Sequence, residues 1–248
     1  MASQRQYQNR AQMFEILRML YSSRYGHLLG FKGGTALYFF YGLPRFSVDC
    51  DFDLTEKLSQ KQLQKLKSDI LLYLQDSLPD LTIKTSGTSD YSIRYVAQYG
   101  GDKTIKIEIS PKIYDNQYEI RQLQGLPVQV MKAERMFAHK LCAFISRYQQ
   151  RDIIANRDLF DIRHLFKKFI SPYQPIIIQR FTKMIGKKVT IKESIQYIID
   201  FIQQHQKDIQ KNILNGLGEL VDEKDKNDIK AKLLSETLQE LASYIKKR

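Results

Sequence analysis

The stretch Ser47-Val-Asp-Cys-Asp-Phe-Asp53, which follows closely on Phe31-Lys-Gly-Gly-Thr35, decides the fold. Its apolar residues alternate with acidic ones, which is the period-two pattern of a strand with one apolar and one acidic face. In the earlier stretch, two glycines let the backbone adopt positive φ values and approach a ligand closely. The helix expected after them would present N–H groups that suit a phosphate, and Thr35 adds a hydroxyl donor. The sequence therefore predicts a phosphate-binding turn and an acidic strand.

The acidic face of this strand carries Asp49, Asp51 and Asp53 at alternate positions. Side chains two residues apart on a strand point the same way, with Cα atoms roughly 6.5–7 Å apart. Asp49 and Asp51 can therefore converge on the same cation, and Mg²⁺ prefers oxygen ligands that bridge to substrate phosphates. Because three like charges repel, positive charge is expected nearby. We predict a triphosphate on the glycine turn, with metal ions between it and the aspartates.

The remaining chain is predicted to be α+β in its first half and helical after Pro127. Helical spacing in the first half covers Gln6–Tyr21, Thr35–Tyr41 and Lys57–Leu78. Further strands are predicted at Leu81–Ser86, Tyr91–Gln98, Thr104–Ser110 and Glu119–Leu123. The later helices are predicted at Lys132–Gln150, Arg157–Phe169, Gln174–Ile185, Ile191–Gln206 and Asp228–Lys246. We expect an α+β domain with a mixed sheet at residues 1–126, a helical domain at 127–248, and the site in a cleft between them.

The composition predicts a folded cytoplasmic protein with a polyanionic partner. The net charge is +12, and from Leu126 onward 23 lysines and arginines face 14 acidic residues. This C-terminal excess favours nucleic acid, although a merely solubilising surface would give the same count. No apolar run approaches the ~20 residues of a membrane span, and the polar N-terminus has no signal-peptide core. The two cysteines form no Cys-x-x-Cys pair, so no zinc site is expected.

Four blocks between Lys32 and Phe166 resemble the AbiEii/AbiGii-type nucleotidyltransferase toxin family. The first two are Lys32-Gly-Gly-Thr-Ala-Leu37 and Arg45-Phe-Ser-Val-Asp-Cys-Asp51. The third, Lys140-Leu-Cys-Ala-Phe-Ile-Ser-Arg147, resembles the family's Lys-x-x-Ala-x-x-x-Arg helix, and Arg157-Asp-Leu-Phe-Asp161 resembles its Arg-Asp-x-x-Asp motif. The resemblance implies the minimal DNA polymerase β-like nucleotidyltransferase fold.

The same resemblance implies roles for the acidic residues. Asp49 and Asp51 match the Asp-x-Asp metal pair, although a register with Asp51 and Asp53 stays open. Asp158 is implied to be catalytic, orienting a lysine or the acceptor, whereas Asp161 either joins the site or pairs with Arg157 one helical turn earlier. A neighbouring strand supplies a third carboxylate in this fold.

Glu108 is the natural candidate for this third carboxylate, because it shares a strand face with Lys106 and Ser110. An ordinary outward-facing glutamate is the alternative. Lys140 is implied to contact nucleotide phosphate, a role that suits a compact ammonium group. The expected nucleotide-binding residues are Lys32, Gly33, Gly34, Thr35, Arg45, Ser47 and Arg147.

The expected reaction moves a nucleoside monophosphate from an NTP to an acceptor hydroxyl. Two Mg²⁺ ions, or Mn²⁺, would lie about 3.5–4 Å apart. The resemblance implies that the acceptor is RNA, at the tRNA 3′ end, and that the protein is the toxin of a toxin–antitoxin pair in phage defence, with a cognate antitoxin protein. The alternatives are a protein or small-molecule hydroxyl as acceptor, or a non-catalytic RNA-binding module. The chain has no P-loop lysine signature and no Gly-x-Gly-x-x-Gly, which argues against P-loop ATPases and dinucleotide-binding dehydrogenases.

Overall fold

The computed structural model describes residues 4–86, 92–101, 103–111 and 113–247. One predicted strand begins at Tyr91, and this residue and the turn residue Asp102 lie outside the described residues. No helix in the described ranges is long and apolar enough to cross a membrane.

A mixed sheet of seven strands forms the centre of the α+β part, within the described residues. Its strands are β1 Leu29–Lys32, β2 Asp49–Leu54, β3 Thr82–Thr85, β4 Ile93–Tyr99, β5 Lys103–Ser110, β6 Tyr118–Leu123 and β7 Leu126–Met131. They lie in the order β3-β4-β5-β2-β1-β7-β6. The acidic strand β2 is central, antiparallel to β1 and parallel to β5, and β1 is parallel to β7. The predicted α+β class with a mixed sheet is confirmed.

The predicted helices are present with shifts of up to three residues at their ends, and the short helix Gln206–Lys211 is an addition that the sequence did not predict. They are α1 Gln4–Ser22, α2 Gly33–Phe40, α3 Gln60–Ser77, α4 Ala133–Arg151, α5 Asn156–Lys167, α6 Gln174–Ile185, α7 Ile191–Gln204, α8 Gln206–Lys211 and α9 Lys226–Lys246. Helix α2 begins at Gly33 rather than Thr35, so both glycines of the predicted turn lie in its first turn.

Strand β7 was not predicted. Proline has no N–H for a strand ladder, so Pro127 indicated a boundary rather than a strand interior. In the structure Pro127 is paired with Gln122 of β6, while Val128 and Val130 are buried. The segment after Pro127 therefore continues the sheet as far as Met131 before the helices begin.

The chain forms two compact units. One contains the chain up to Gly42 and from Phe46 to Lys132, and it holds the sheet with α1, α2 and α3. The other contains Leu43–Arg45 and the chain from Ala133 onward, and it holds α4 to α9. The domain division between residues 126 and 127 stays a prediction.

The apolar face of β2 lies in the core of the first unit. Cys50, Phe52 and Leu54 are buried, as the alternating pattern predicts. The Phe52 ring centroid lies 5.2 Å from that of Phe31 and 6.4 Å from that of Tyr21. This packing holds the acidic face of β2 toward the opposite side of the sheet.

We expect Phe52→Ala to lower the free energy of unfolding by about 3–5 kcal/mol, because it removes a fully buried ring and leaves a cavity. Urea denaturation measures this difference. The control is Ile120→Ala on β6, where the residue is 63% exposed and the expected change lies within about 0.5 kcal/mol. Equal effects at the two positions would contradict the assigned orientation of β2.

Candidate active site

The glycine turn and the acidic strand meet at Gly33. This residue has φ +83°, a left-handed conformation that glycine adopts without a steric penalty. A Cβ built on Gly33 would lie 2.5 Å from Oδ2 of Asp51. A side chain at this position would be strained by the backbone conformation and would displace the Asp51 carboxylate, which lies directly against the first turn of α2.

Thr35 connects the same turn to β2. Its hydroxyl donates a hydrogen bond to the backbone carbonyl oxygen of Asp49, and the residue is fully buried. The single hydroxyl proton is thereby engaged within the protein, so Thr35 positions the turn against the strand. Its predicted contact with phosphate stays a prediction.

Asp53 is buried within a cluster of polar groups. Lys32 Nζ donates to its Oδ1, while Asn116 Nδ2 and Tyr118 Oη donate to its Oδ2 over 2.7 and 3.3 Å. Burial raises the pKa of the Tyr118 hydroxyl, and the Asp53 carboxylate raises it further. The residue is 5% exposed, so its charge is surrounded by these protein groups.

Gly30 makes room for this cluster. It lies opposite Asp53 in the β1–β2 pairing, and a Cβ at Gly30 would lie 2.1 Å from Cε1 of Tyr118. The sequence did not indicate Asn116 or Tyr118 as site residues, because nothing in their local pattern points to a partner more than sixty residues away.

Asp49 and Asp51 are the half-exposed carboxylates of β2. Glu108 of β5 lies in register with Asp51, but its carboxylate accepts a hydrogen bond from Arg94 Nη2 at 3.2 Å. Across the described residues, no three His, Cys, Asp or Glu side chains gather closely enough to hold a metal. The role of Glu108 as a third metal ligand stays a prediction.

The donor set fits a magnesium ion that is shared with substrate. Mg²⁺ is typically held by one or two carboxylates together with substrate phosphates, rather than by a cage of protein ligands alone. Two half-exposed carboxylates beside a helix N-terminus supply those elements. The register with Asp51 and Asp53 as the metal pair is disfavoured, because Asp53 is committed to Lys32, Asn116 and Tyr118.

A second group of charged residues lies within the helical unit. Arg45 binds Asp161 with two nitrogens, with Nε 2.6 Å from Oδ1 and Nη2 2.7 Å from Oδ2. Lys140 Nζ lies 2.8 Å from Asp161 Oδ2 and 2.9 Å from Asp158 Oδ1. Arg147 Nε lies 3.1 Å from Asp158 Oδ2, an ion pair without hydrogen-bond alignment. We call these five residues the buried ion network.

Lys140 and Asp161 each stabilise the charged form of the other. Burial lowers the pKa of Lys140, but Asp158 and Asp161 more than offset this, and the net shift is upward. Burial raises the pKa of Asp161, but Lys140 and Arg45 more than offset this, and the net shift is downward. Lys140 is therefore a fixed cation at neutral pH and unsuited to act as a base.

The network excludes one of the two alternatives for Asp161 and changes the interpretation of Arg45. The carboxylate of Asp161 pairs with Arg45 and Lys140, not with Arg157. Arg157 lies on the same helix as Asp161, whereas Arg45 and Lys140 reach it from other segments of the chain. Arg45 has a side chain that is 3% exposed, so it is placed to position Asp161, and its nucleotide-binding role stays a prediction. Arg147 is 36% exposed, and Ser47 is half-exposed before β2.

Comparison with known proteins gives one family over most of the chain. The family described as "Nucleotidyl transferase AbiEii toxin, Type IV TA system" matches residues 15–242. No curated protein matches significantly. The crystal structure of JHP933 from Helicobacter pylori is 22% identical with a TM-score of 0.64, covering 100% of this chain and 94% of that one. MenT4, a nucleotidyltransferase toxin from Mycobacterium tuberculosis, is 14% identical with a TM-score of 0.58, covering 95% and 84% respectively. At these identities the two structures support the fold.

We expect Asp161→Asn to lower the free energy of unfolding by about 3–5 kcal/mol, because it leaves buried cations without their counter-charge. Urea denaturation at neutral pH measures the loss. The control is Glu15→Gln, which removes the exposed ion pair with Arg18 and should cost no more than about 1 kcal/mol.

The pH dependence gives a second check on the same variant. Because the pKa of Asp161 is lowered in the folded state, its contribution is present above its unfolded pKa and is lost as pH falls through the folded one. The gap in stability between wild type and Asp161→Asn should therefore persist down to the unfolded pKa and close only in stronger acid. A gap that closes near neutral pH would refute the assigned ionisation.

Proposed function

The chain belongs to the family of AbiEii nucleotidyl transferase toxins of type IV toxin–antitoxin systems, and we propose that it moves a nucleoside monophosphate from an NTP to an RNA 3′ end. The enzyme class, a nucleotidyltransferase, follows from the family. The acceptor, the metal and the role of each residue belong to the proposal. The observation that carries it is the contact between the Asp51 carboxylate and the glycine turn at Gly33.

In this proposal the glycine turn binds the β- and γ-phosphates of the NTP. The backbone N–H groups of Gly33 and Gly34 lie in the first turn of α2, where they have no partner in the preceding turn of the helix. Asp49 and Asp51 would hold Mg²⁺ or Mn²⁺, which neutralises the phosphates and lowers the pKa of a bound hydroxyl. The acceptor hydroxyl attacks the α-phosphorus, the α–β phosphoanhydride bond breaks, and pyrophosphate leaves.

Lys140 and Asp158 form the second part of the proposal. A permanently protonated ammonium stabilises negative charge that develops on a transferred phosphoryl group. Asp158 and Asp161 hold Lys140 in place through the 2.9 and 2.8 Å contacts. Lys140 would therefore bind phosphate, Asp158 would orient Lys140, and Arg45 would position Asp161.

RNA is proposed as acceptor because the basic excess is concentrated from Leu126 onward. We propose the tRNA 3′ end within this class, a cognate antitoxin protein as the opposing partner, and a role in phage defence. The cytoplasmic location also stays a prediction. A protein or small-molecule hydroxyl is an outcome that the following experiment separates.

The test incubates the purified protein with each labelled NTP, Mg²⁺ and total tRNA, and follows the label. We expect label on RNA, and we expect Asp49→Ala to reduce transfer by at least about a thousandfold, because the metal site loses a ligand. The matched control is Asp80→Ala, which removes an exposed carboxylate from the same unit and should leave the rate unchanged.

Each outcome of this assay has a consequence for the proposal. Label that migrates with protein or a small molecule would overturn RNA as the acceptor. Transfer that survives Asp49→Ala would overturn the metal assignment. A folded protein that transfers none of the four nucleotides to any acceptor would overturn the proposed reaction.

Gly33→Ala provides a finer test of the glycine turn. We expect it to abolish thermal stabilisation by Mg²⁺–ATP, because the new Cβ displaces the Asp51 carboxylate. Gly125→Ala is the matched control, since Gly125 has the same φ of +83° but no atom within 4 Å of the point that its Cβ would occupy. Both variants place an alanine at φ +83°, so an equal loss of nucleotide-dependent stabilisation would argue against the contact with Asp51.

A further inference from the structure

Two adjoining cavities lie in the helical unit beside the buried ion network. The first has a volume of about 720 Å³ and is lined in part by Arg147, which also contacts Asp158. The second has a volume of about 740 Å³. They share four lining residues, Tyr148, Arg151, Asp152 and His205. We call them the paired cavities.

The first cavity presents cations that the protein does not neutralise. Arg151 and Arg157 line it, and in the described part of the chain no carboxylate lies within ion-pair distance of either. Arg151 is exposed and Arg157 half-exposed. Arg147 is already paired with Asp158, so Arg151 and Arg157 are the guanidinium groups of this lining that a ligand can engage, beside Asp152 and Asp208. A guanidinium group binds phosphate oxygens with several N–H donors.

The same cavity presents flat and apolar groups next to these cations. The rings of Tyr148 and His205 lie 4.7 Å apart at the edge shared by both cavities. Ile153 on the first cavity is 53% exposed although it is apolar. Aromatic side chains interleaved with arginines are the arrangement on which single-stranded nucleic acids stack their bases.

A buried amide supplies a polar group in the first cavity. Asn156 lines it and is 2% exposed, and its Nδ2 donates to the backbone oxygen of Asn212 at 2.7 Å. Its Oδ1 has no hydrogen-bond partner among the described residues. A buried acceptor without a partner is unfavourable, so a donor that reached Oδ1 of Asn156 from a bound base or ribose would relieve this cost.

The sizes argue for more than one nucleotide. A cavity of about 300–1,000 Å³ accommodates one ligand of drug or nucleotide size, and each of the paired cavities falls in this range. Because the two cavities share a rim that carries Tyr148 and Arg151, an oligonucleotide can pass from one cavity to the other across these residues. A free mononucleotide would occupy only one of them.

We propose that the paired cavities bind consecutive nucleotides of a single-stranded RNA, with Arg151 and Arg157 on its phosphates and Tyr148 against a base. This inference rests on the proposed function, in which RNA is the acceptor. It places the single-stranded RNA on a surface of the helical unit. Arg147 connects this surface to Asp158, and hence to Lys140, within the same unit. The paired cavities therefore hold the RNA next to the fixed cation of the buried ion network.

The test measures RNA binding alone, without NTP and with EDTA present. A fluorescein-labelled single-stranded oligoribonucleotide is titrated with the full chain and followed by fluorescence anisotropy. We expect the double variant Arg151→Ala, Arg157→Ala to bind at least about tenfold more weakly. The slope of log K against log salt should fall by about 1.4, which corresponds to two lost phosphate contacts at ~0.7 each.

The matched control removes two cations elsewhere in the same unit. Lys187 and Lys188 are both exposed and line neither cavity, so Lys187→Ala, Lys188→Ala changes the net charge equally. This variant should bind the RNA within twofold of wild type. The single variant Arg151→Ala, at an exposed position, supplies a check that does not depend on folding of the double variant and should show an intermediate loss.

Three results would overturn the inference. The first is binding by the arginine double variant that equals wild type, and the second is an equal loss in the lysine control. The third is equal affinity for the same RNA annealed to its complement. Failure of nucleotide transfer with an intact arginine effect on RNA binding would instead count against the proposed function alone. Transfer to RNA with an unchanged KM for RNA in the arginine variant would count against the paired cavities alone.

Discussion

Mutual repulsion of three carboxylates on one strand is the constraint around which the first unit is built. Asp49, Asp51 and Asp53 share a face of the central strand β2, and like charges at this spacing raise the free energy of the folded state. Lys32 on the neighbouring strand β1 neutralises Asp53, and Asn116 and Tyr118 complete its hydrogen bonds. The repulsion is thereby reduced to two half-exposed carboxylates, a number that fits a magnesium ion shared with a phosphate.

The helical unit instead holds cations in place with buried carboxylates. Arg45, Lys140 and Arg147 outnumber Asp158 and Asp161 by one charge, and both aspartates have fully buried side chains. The first unit thus presents negative charge suited to metal ions, and the second presents positive charge suited to phosphate. Within each unit the charges are held in place by protein contacts before any ligand binds.

The sequence predicted what depends on local pattern and missed what depends on distant pairing. Period-two alternation identified β2, and the two glycines marked the turn where Gly33 takes φ +83°. Strand β7 was missed because Pro127 is a strong local signal against a strand. In the structure Pro127 nevertheless pairs with Gln122 of β6. The pair of Arg45 and Asp161 spans 116 residues, and no local period encodes such a separation. The sequence therefore proposed candidate site residues by their type, but it did not indicate the side chains that pair with them.

A buried ion network adds little net stability to a helical core, because its charged groups lose their hydration. Replacing such a network with well-packed apolar side chains is often neutral or stabilising, so stability alone does not account for five buried or half-buried charges. Two features point to positioning instead. Lys140 is held by two carboxylates at once, which fixes an otherwise flexible side chain. Arg147, at the end of the network, is 36% exposed and lines a cavity with two uncompensated arginines. The network therefore does not end in the core but reaches the surface at Arg147, beside the cavity in which we propose that RNA binds.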